Sequence, residues 1–143
     1  MLAYFDCFSG ISGDMTLGAL IDLGVPVEKL EHDLALLLTE TFSLQVTPVE
    51  RHGIRALHCQ VVAEDCSPSR NYADIQKLIG DSGLPESVKK TALAIFHKIA
   101  VAEAGIHGEA ADAVHFHEVG AKDAIVDVAA AMLGIELLGA QSF

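Results

Sequence analysis

The sequence predicts an α/β fold in a single domain: a small mixed β-sheet that includes a hairpin, covered by about five helices. Three observations predict this class. Two apolar runs flank a short turn, apolar residues recur every three or four positions along most of the remaining chain, and 143 residues are enough for one core. A hairpin with helices packed around it accounts for all three.

The N-terminal half should hold a strand, two helices and the hairpin. An apolar run over residues 2–5 predicts a buried strand, and apolar residues at helical spacing before Gly24 predict the first helix. Pro26 is typical of a first helical position, so a second helix should begin there. The two strands of the hairpin are then predicted over residues 42–47, where apolar and polar residues alternate, and 54–62.

The second half is predicted to be helical. The polar stretch 64–71, which contains Pro68, separates it from the hairpin and is the best internal boundary. Beyond it the pattern predicts a helix, a long helix that ends at Gly105, a short extended segment and a last apolar helix: residues 72–79, 85–104, 114–119 and 121–138.

Composition excludes several classes of function. The formal net charge of −11 argues against nucleic acid as a partner, because a phosphate backbone is bound by clustered lysine and arginine. No charge-free stretch reaches the roughly 18 residues of a membrane span, and no basic segment precedes an apolar one, so we expect a cytoplasmic protein with no membrane partner. Three cysteines without CxxC spacing predict neither a disulfide framework nor a structural zinc site.

The most informative motif is the run Asp6-Cys-Phe-Ser-Gly-Ile-Ser-Gly-Asp14, between the predicted strand and the first helix. A glycine- and serine-rich loop that opens a helix leaves unpaired N–H groups at the positive end of the helix dipole, which suits a phosphate or a carboxylate. Two acids beside an anion make chemical sense with a divalent cation between them, so Asp6 and Asp14 are the candidate catalytic residues. The candidate cofactor-binding residues are Ser9, Gly10, Ser12 and Gly13.

A structural explanation of this motif stays open for part of it. The run lacks the Lys-Ser/Thr ending of a P-loop and has too few glycines for a dinucleotide fingerprint. Ser12 would then cap the helix, Asp14 would complement its dipole, and the glycines would only serve the turn. For Ser12 and Gly13 taken alone the structural role is favoured, whereas Asp6, at the carboxyl end of a predicted strand, is favoured as functional.

A second group of candidates lies near the last helix, in His115-Phe-His-Glu-Val-Gly120. In an extended segment His115 and His117 point to one side and Phe116 to the other, which is a metal-ligand spacing, although such pairs also occur by chance. Imidazole suits nickel, zinc, copper, iron and cobalt, and Glu118 would complete or support such a site.

The last helix adds two acids one turn apart on one face, Asp123 and Asp127, in otherwise apolar surroundings. Asp123 is adequately explained by the helix dipole. Asp127 lies deeper, where an uncompensated buried carboxylate would cost several kcal/mol, so a cation or a set of donors is expected beside it. We therefore predict a metal site built from His115, His117, Glu118, Asp123 and Asp127.

The other histidines have weaker support. Glu103 lies on the apolar stripe of its helix with His107 four residues later, so the pair either joins the same site or faces solvent near the helix end. His32 and His58 are expected to lack nearby ligands.

Two blocks of the chain resemble the N-terminal region of the LarC family. The first is Asp6 to Met15 with Leu17-Gly-Ala-Leu20, and the second is Val114 to Gly120 with Asp123 and Asp127. Shorter similar words lie between them, so that the resemblance spans nearly the whole chain: Val49-Glu-Arg-His-Gly-Ile54, Ala92-Leu-Ala-Ile-Phe96, and Ala102-Glu-Ala104 followed by His107-Gly108.

The resemblance implies a CTP-dependent nickel metallochelatase of the lyase class. Such proteins insert nickel into pyridinium-3,5-bisthiocarboxylic acid mononucleotide and so make the nickel-pincer cofactor of lactate racemase. It further implies that CTP, with Mg or Mn, binds a C-terminal domain that this chain lacks, and that the protein is a homo-oligomer. We therefore expect residues 1–143 to be the N-terminal domain, as a fragment or one product of a split gene. Many relatives have a histidine-rich stretch where this chain has residues 64–71 without histidine, which argues against nickel storage there.

Two alternatives of a different class remain at this point. The region is a non-catalytic scaffold for oligomerisation and for docking of the C-terminal domain, or it is a metal-dependent phosphohydrolase that uses Asp6. The second alternative ranks last because no general acid or lysine accompanies Asp6 in the sequence.

Overall fold

The computed structural model describes residues 1–38, 41–63, 70–116 and 122–142. These ranges contain five α-helices, one short 3-10 helix at Ala111–Ala113 and one two-stranded antiparallel sheet, which confirms the predicted α/β class. In chain order the elements are α1 (Gly13–Asp22), α2 (Val27–Leu34), β1 (Phe42–Arg51), β2 (Ile54–Ala63), α3 (Tyr72–Asp81), α4 (Glu86–His107) and α5 (Lys122–Leu137).

The predicted hairpin is present and longer than the alternation indicated. β1 and β2 pair in register from Phe42 opposite Ala63 to Arg51 opposite Ile54. The turn between them has two central residues with positive φ, 50° at His52 and 80° at Gly53. Two positive φ angles match the right-handed twist of the flanking strands, which is why two-residue turns of this kind close hairpins.

Within the described ranges, the predicted strand over residues 2–5, and with it the larger mixed sheet, is not formed. Leu2 makes a single parallel bridge to Ser142, and His115 a single antiparallel bridge to Asn71. A parallel strand needs a neighbour over its whole length, and none of the described segments lies beside residues 4–6. Its large side chains, Leu2, Tyr4 and Phe5, are exposed instead of buried, Leu2 by 72%.

The long helix α4 continues past the predicted stop at Gly105. It ends at Gly108, whose φ of 70° is the left-handed conformation that glycine adopts without strain. The N–H groups of Gly108 and Glu109 both donate to the carbonyl of Ala104, at 2.8 and 3.2 Å. Gly105 is therefore an interior helix residue, and the helix stops where a left-handed cap satisfies its last carbonyl groups.

The apolar helix α5 lies at the centre of the domain. It packs against α1, α2, α4 and β2, and its buried side chains lie around most of the helix, for example Ile125, Val126 and Ala131. A helix that is apolar over most of its surface is buried over most of it, and here Asp123 and Glu136 stay exposed. Among the described helices none has the length and apolar content that crossing a membrane requires.

Helix α1 lies directly on the hairpin. Gly18 approaches β2 so closely that a Cβ atom on it would be 2.2 Å from the carbonyl oxygen of Leu57. Arg55 of β2 also pairs with Asp22 at 2.8 Å. These two contacts hold the middle and the C-terminal end of α1 against β2.

Candidate functional site

A pocket of about 360 Å³ lies where the N-terminal end of α1, the middle of β2 and the first turns of α5 meet. Its polar lining comes from all three elements: Asp14, His58, Cys59, Gln60, Asp123 and Asp127. Asp123 and Asp127 lie one turn apart, so both reach the pocket from one face of α5. Residues far apart in the chain therefore converge on one polar cavity.

Asp127 contacts the first turn of α1. A Cβ atom on Gly13 would lie 2.5 Å from Oδ2 of Asp127 and 2.6 Å from its Cβ atom, so only glycine leaves room for this side chain. The carboxyl group thus sits at the helix end where N–H groups are unpaired and negative charge is favoured. The sequence predicted a turn for Gly13, whereas its structural role is the close approach of α5.

The pocket concentrates negative charge. The pKa of Asp127 is raised from 3.8 to about 6, first by burial and then by the charges of Asp14 and Asp123. Burial also raises the pKa of the Cys59 thiol to about 11, with further contributions from Asp127, Asp14 and Glu31. Both shifts favour the protonated carboxyl and thiol groups, whereas a cation in the pocket would favour the carboxylate and the thiolate.

His58 also lines the pocket, although the sequence did not identify it as a site residue. Its Nδ1 lies 3.9 Å from Oδ2 of Asp14, and about half of its side chain is exposed. The two residues are far apart in the chain and meet because α1 lies on β2. No local spacing signal marks such a pair, and the expectation that His58 lacks a ligand nearby is therefore wrong.

The raised pKa of Asp127 predicts a pH-dependent effect of the substitution Asp127→Asn. Between about pH 4 and about pH 6 the folded protein keeps this proton while the unfolded chain releases it, so the contribution of Asp127 to stability falls as the pH rises. Asparagine does not titrate, and the variant should gain stability relative to the parent as the pH rises through this window. Urea unfolding of the metal-free proteins at both ends of the window measures the difference, and an equal difference at both ends would contradict the assignment.

The rest of the first motif lies outside the pocket. Asp6, Ser9 and Gly10 are exposed, in a segment where the N–H of Gly10 donates to the carbonyl of Cys7 at 3.0 Å. Asp6 does not follow a strand, because residues 2–5 do not form one. The structure brings the end of the motif, Gly13 and Asp14, to α5 and leaves its beginning in solvent.

Ser12 occupies the N-cap position of α1, but its side chain does not cap the helix. Its hydroxyl group donates instead to the carboxylate of Asp14, and its carbonyl oxygen accepts from the hydroxyl of Thr16 at 2.9 Å. The side-chain cap expected for Ser12 is therefore wrong. The Ser12 hydroxyl instead orients a carboxylate that lines the pocket.

The second motif is only partly described. His115 is exposed while Phe116 is buried against the rings of Tyr72 and Phe96, as expected for alternation in an extended segment. His115 lies beside the start of α3, through its bridge to Asn71, and does not line the pocket. The predicted ligands His117 and Glu118 lie outside the described residues.

The pair Glu103 and His107 forms an ion pair one turn apart on α4. Their Oε2 and Nε2 atoms are 3.3 Å apart, and both side chains are substantially exposed. Neither lines the pocket. Of the two explanations left open by the sequence, the position on the helix surface is the one observed.

The pocket as it stands is not a closed metal site. Within the described ranges, no three histidine, cysteine or carboxylate side chains are gathered closely enough to hold one ion. Asp14, His58, Asp123 and Asp127 nevertheless provide oxygen and nitrogen donors around one cavity. Binding a metal there requires small side-chain movements or further ligands, and the undescribed residues 117–121 directly precede α5 in the chain.

Comparison with known proteins identifies a family for this chain. The profile of the family described as nickel insertion protein matches residues 3–143. A relative from Geobacter sp. (strain M21), provisionally named a nickel insertion protein, is 46% identical over 99% of this chain and 37% of its own length. A similarly named relative from Thermomicrobium roseum is 48% identical over 98% of this chain and 35% of its own length. Another, from Synechococcus elongatus, is 46% identical over 99% of this chain and 36% of its own length.

The relatives are longer than this chain, which spans little more than a third of their length. No solved structure matches it.

Proposed function

Because this chain belongs to the nickel insertion protein family, we propose that the pocket between α1, β2 and α5 receives nickel as the metal to be inserted into an organic cofactor precursor. One observation carries the assignment to this pocket. Three carboxylates and an imidazole from three separate elements converge there, and burial together with the charges of Asp14 and Asp123 raises the pKa of Asp127 to about 6.

The chemistry of the donors fits a divalent metal ion that is held and then released. Imidazole suits nickel and other late first-row metals, whereas carboxylates are harder ligands that bind such ions less selectively. An ion among Asp14, His58 and Asp127 would oppose the burial and the charge repulsion that together favour a protonated Asp127. A site with mixed donors and no preformed geometry suits a metal that is passed on.

The more specific function follows from the resemblance to LarC proteins. We propose that the full protein is a CTP-dependent metallochelatase that inserts nickel into pyridinium-3,5-bisthiocarboxylic acid mononucleotide for lactate racemase, with CTP and Mg or Mn held by a further region. In this proposal the phosphate of the mononucleotide approaches the N-terminal end of α1, where Ser9, Gly10, Ser12 and Gly13 lie in the chain. His115, His117 and Glu118 are proposed to deliver nickel, and Asp6 is proposed to act with Asp14.

Nickel titration of this chain by calorimetry tests the proposal. The wild-type chain should bind one nickel ion, and Asp14→Asn combined with Asp127→Asn should weaken binding by at least about tenfold, because loss of even supporting groups costs that much at metal sites. Glu103→Gln is the matched control, since it removes an acid next to a histidine outside the pocket. The assignment would be contradicted if the double variant bound nickel as tightly as the wild-type chain while the Glu103→Gln control bound it more weakly.

A second pair of variants separates the two groups of candidate ligands. His58→Ala should weaken nickel binding if the pocket is the site, and His115→Ala with His117→Ala should weaken it if the second motif contributes. A folded chain that binds no nickel at all would favour the scaffold alternative. That alternative has independent support in the exposed apolar residues at the N-terminus, such as Tyr4 and Phe8.

A further inference from the structure

The N-terminal segment exposes an unusual amount of apolar surface. Half of the large apolar side chains that the described residues expose lie in the first 15 positions: Met1, Leu2, Tyr4, Phe5, Phe8, Ile11 and Met15. Tyr4 is 85% exposed and Phe8 93%. Single exposed apolar residues are ordinary, but so many within one short segment indicate an interaction surface.

The backbone of the same segment has the start of a parallel ladder. The N–H of Ala3 donates to the carbonyl of Ser142 at 2.9 Å, and the N–H of Gln141 donates to the carbonyl of Met1 at 2.9 Å. These two bonds flank the parallel bridge between Leu2 and Ser142. From residue 4 to residue 6, the backbone groups have no partner within the described parts of the chain.

We propose that residues 1–8 form the edge at which a parallel β-strand from the further region of the longer relatives docks. Two facts favour this occupant over others. The parallel bridge between Leu2 and Ser142 already begins the pairing and sets its register. Relatives such as the Geobacter protein have almost two-thirds of their length outside the part that this chain matches. Strands of parallel sheets are covered on both faces and are continuously apolar, as residues 1–5 are.

Strand addition would supply both missing interactions at once. Main-chain hydrogen bonds would satisfy those unpaired groups of residues 4–6 that face the added strand, and the added region would cover Tyr4 and Phe8. It would also place the motif that begins at Asp6 directly after a strand. This inference concerns an interface, and it stands whether or not the pocket binds nickel.

Hydrogen exchange tests the proposal on two intact proteins, this chain and the longer Geobacter relative. Among the backbone amides aligned with residues 4–6, those that face the added strand should exchange at least about tenfold more slowly in the relative, because the strand protects them. In this chain they should exchange rapidly at every protein concentration. Equal rates in the two proteins would overturn the proposal, and protection that grows with the concentration of this chain would identify a second copy as the occupant and overturn it as well.

Substitution gives a second readout that does not depend on exchange. Phe8→Asp should shift the Tm of this chain by less than about 2 °C, since the side chain is exposed, and the change at the aligned position should lower the Tm of the relative by more than about 5 °C. Ile106→Asp is the control, because Ile106 is 77% exposed at the far end of α4. It should have a small effect in both proteins. Equal small effects of both substitutions in the relative would contradict docking at this edge.

Discussion

Replacing Gly18 by alanine is expected to destabilise the domain more than any other glycine-to-alanine substitution in the described helices. The new Cβ atom would lie 2.2 Å from the carbonyl oxygen of Leu57 and 3.2 Å from its carbon. That carbonyl belongs to the backbone of β2, where Leu57 is held opposite Pro48, so it cannot rotate away as a side chain would. Either α1 moves off the hairpin or the pairing of the hairpin is distorted.

We expect Gly18→Ala to cost about 3 kcal/mol, at the upper end for overpacking, and to lower the Tm by about 10 °C. Urea and thermal unfolding measure both quantities. Gly80→Ala is the matched control, because Gly80 lies in α3 with open space around it, and alanine there should stabilise by about 0.5–1 kcal/mol. A Gly18 variant as stable as the parent would show that α1 does not lie on β2 as described.

The second large effect is expected from Gly13→Ala, and it concerns the site. The added methyl group would overlap the carboxyl group of Asp127 and also its Cβ atom, at 2.6 Å, so rotation of the side chain alone does not remove the clash. The start of α5 must separate from α1. All the acidic groups of the pocket would remain in the protein, but Asp127 would no longer lie beside Asp14.

Gly13→Ala should therefore weaken nickel binding by at least about tenfold at a stability cost of about 1–3 kcal/mol. It should also lower the pKa of Asp127, because burial is the largest cause of the raised value and the separation exposes the carboxyl group. Calorimetric titration with nickel and NMR titration of the Asp127 carboxyl carbon measure these two effects.

Gly134→Ala is the matched control for this prediction. It adds a methyl group at another point of the contact between α1 and α5, 2.8 Å from Cδ1 of Leu20, a flexible side-chain end that can move. Its nickel affinity should stay close to that of the parent. If Gly13→Ala and Gly134→Ala weaken nickel binding equally, the effect reflects the helix contact in general and the assignment of Asp127 to the site is wrong.

The elements predicted best from the sequence are those whose evidence is local. The hairpin follows from alternation and a turn that tolerates positive φ at His52 and Gly53, and α5 follows from an apolar pattern interrupted by few acids. The end of α4 was missed by three residues, because both Gly105 and Gly108 are candidate stops. The one that adopts the left-handed conformation is determined by the hydrogen bonds to Ala104.

The strand predicted at residues 2–5 shows where local evidence fails. Its apolar composition was interpreted as burial, but burial in a parallel sheet requires a neighbouring strand that the composition of the segment cannot specify. In the structure only Leu2 is bridged, to Ser142. The boundary predicted near residues 64–71 stays a prediction, since residues 64–69 lie outside the described ranges.

The site was predicted in part for a similar reason. Spacing alone predicts that Asp123 and Asp127 lie on one face of a helix, and the loop before α1 indicates a ligand site. The structure brings Asp14 and Asp127 to the same pocket. His58 was missed because it meets Asp14 only through the packing of α1 on β2. Asp6 is predicted to be functional because it follows a predicted strand, and that strand is not formed in the described residues.

The position of nickel in the protein tests the central claim most directly. Crystals of this chain prepared with nickel chloride, measured at the nickel absorption edge, would locate the ion by its anomalous scattering. We predict that the strongest peak lies in the pocket between Asp14, His58 and Asp127. A strongest peak at the exposed pair of Glu103 and His107 on α4, or no peak bound to the protein, would contradict this account.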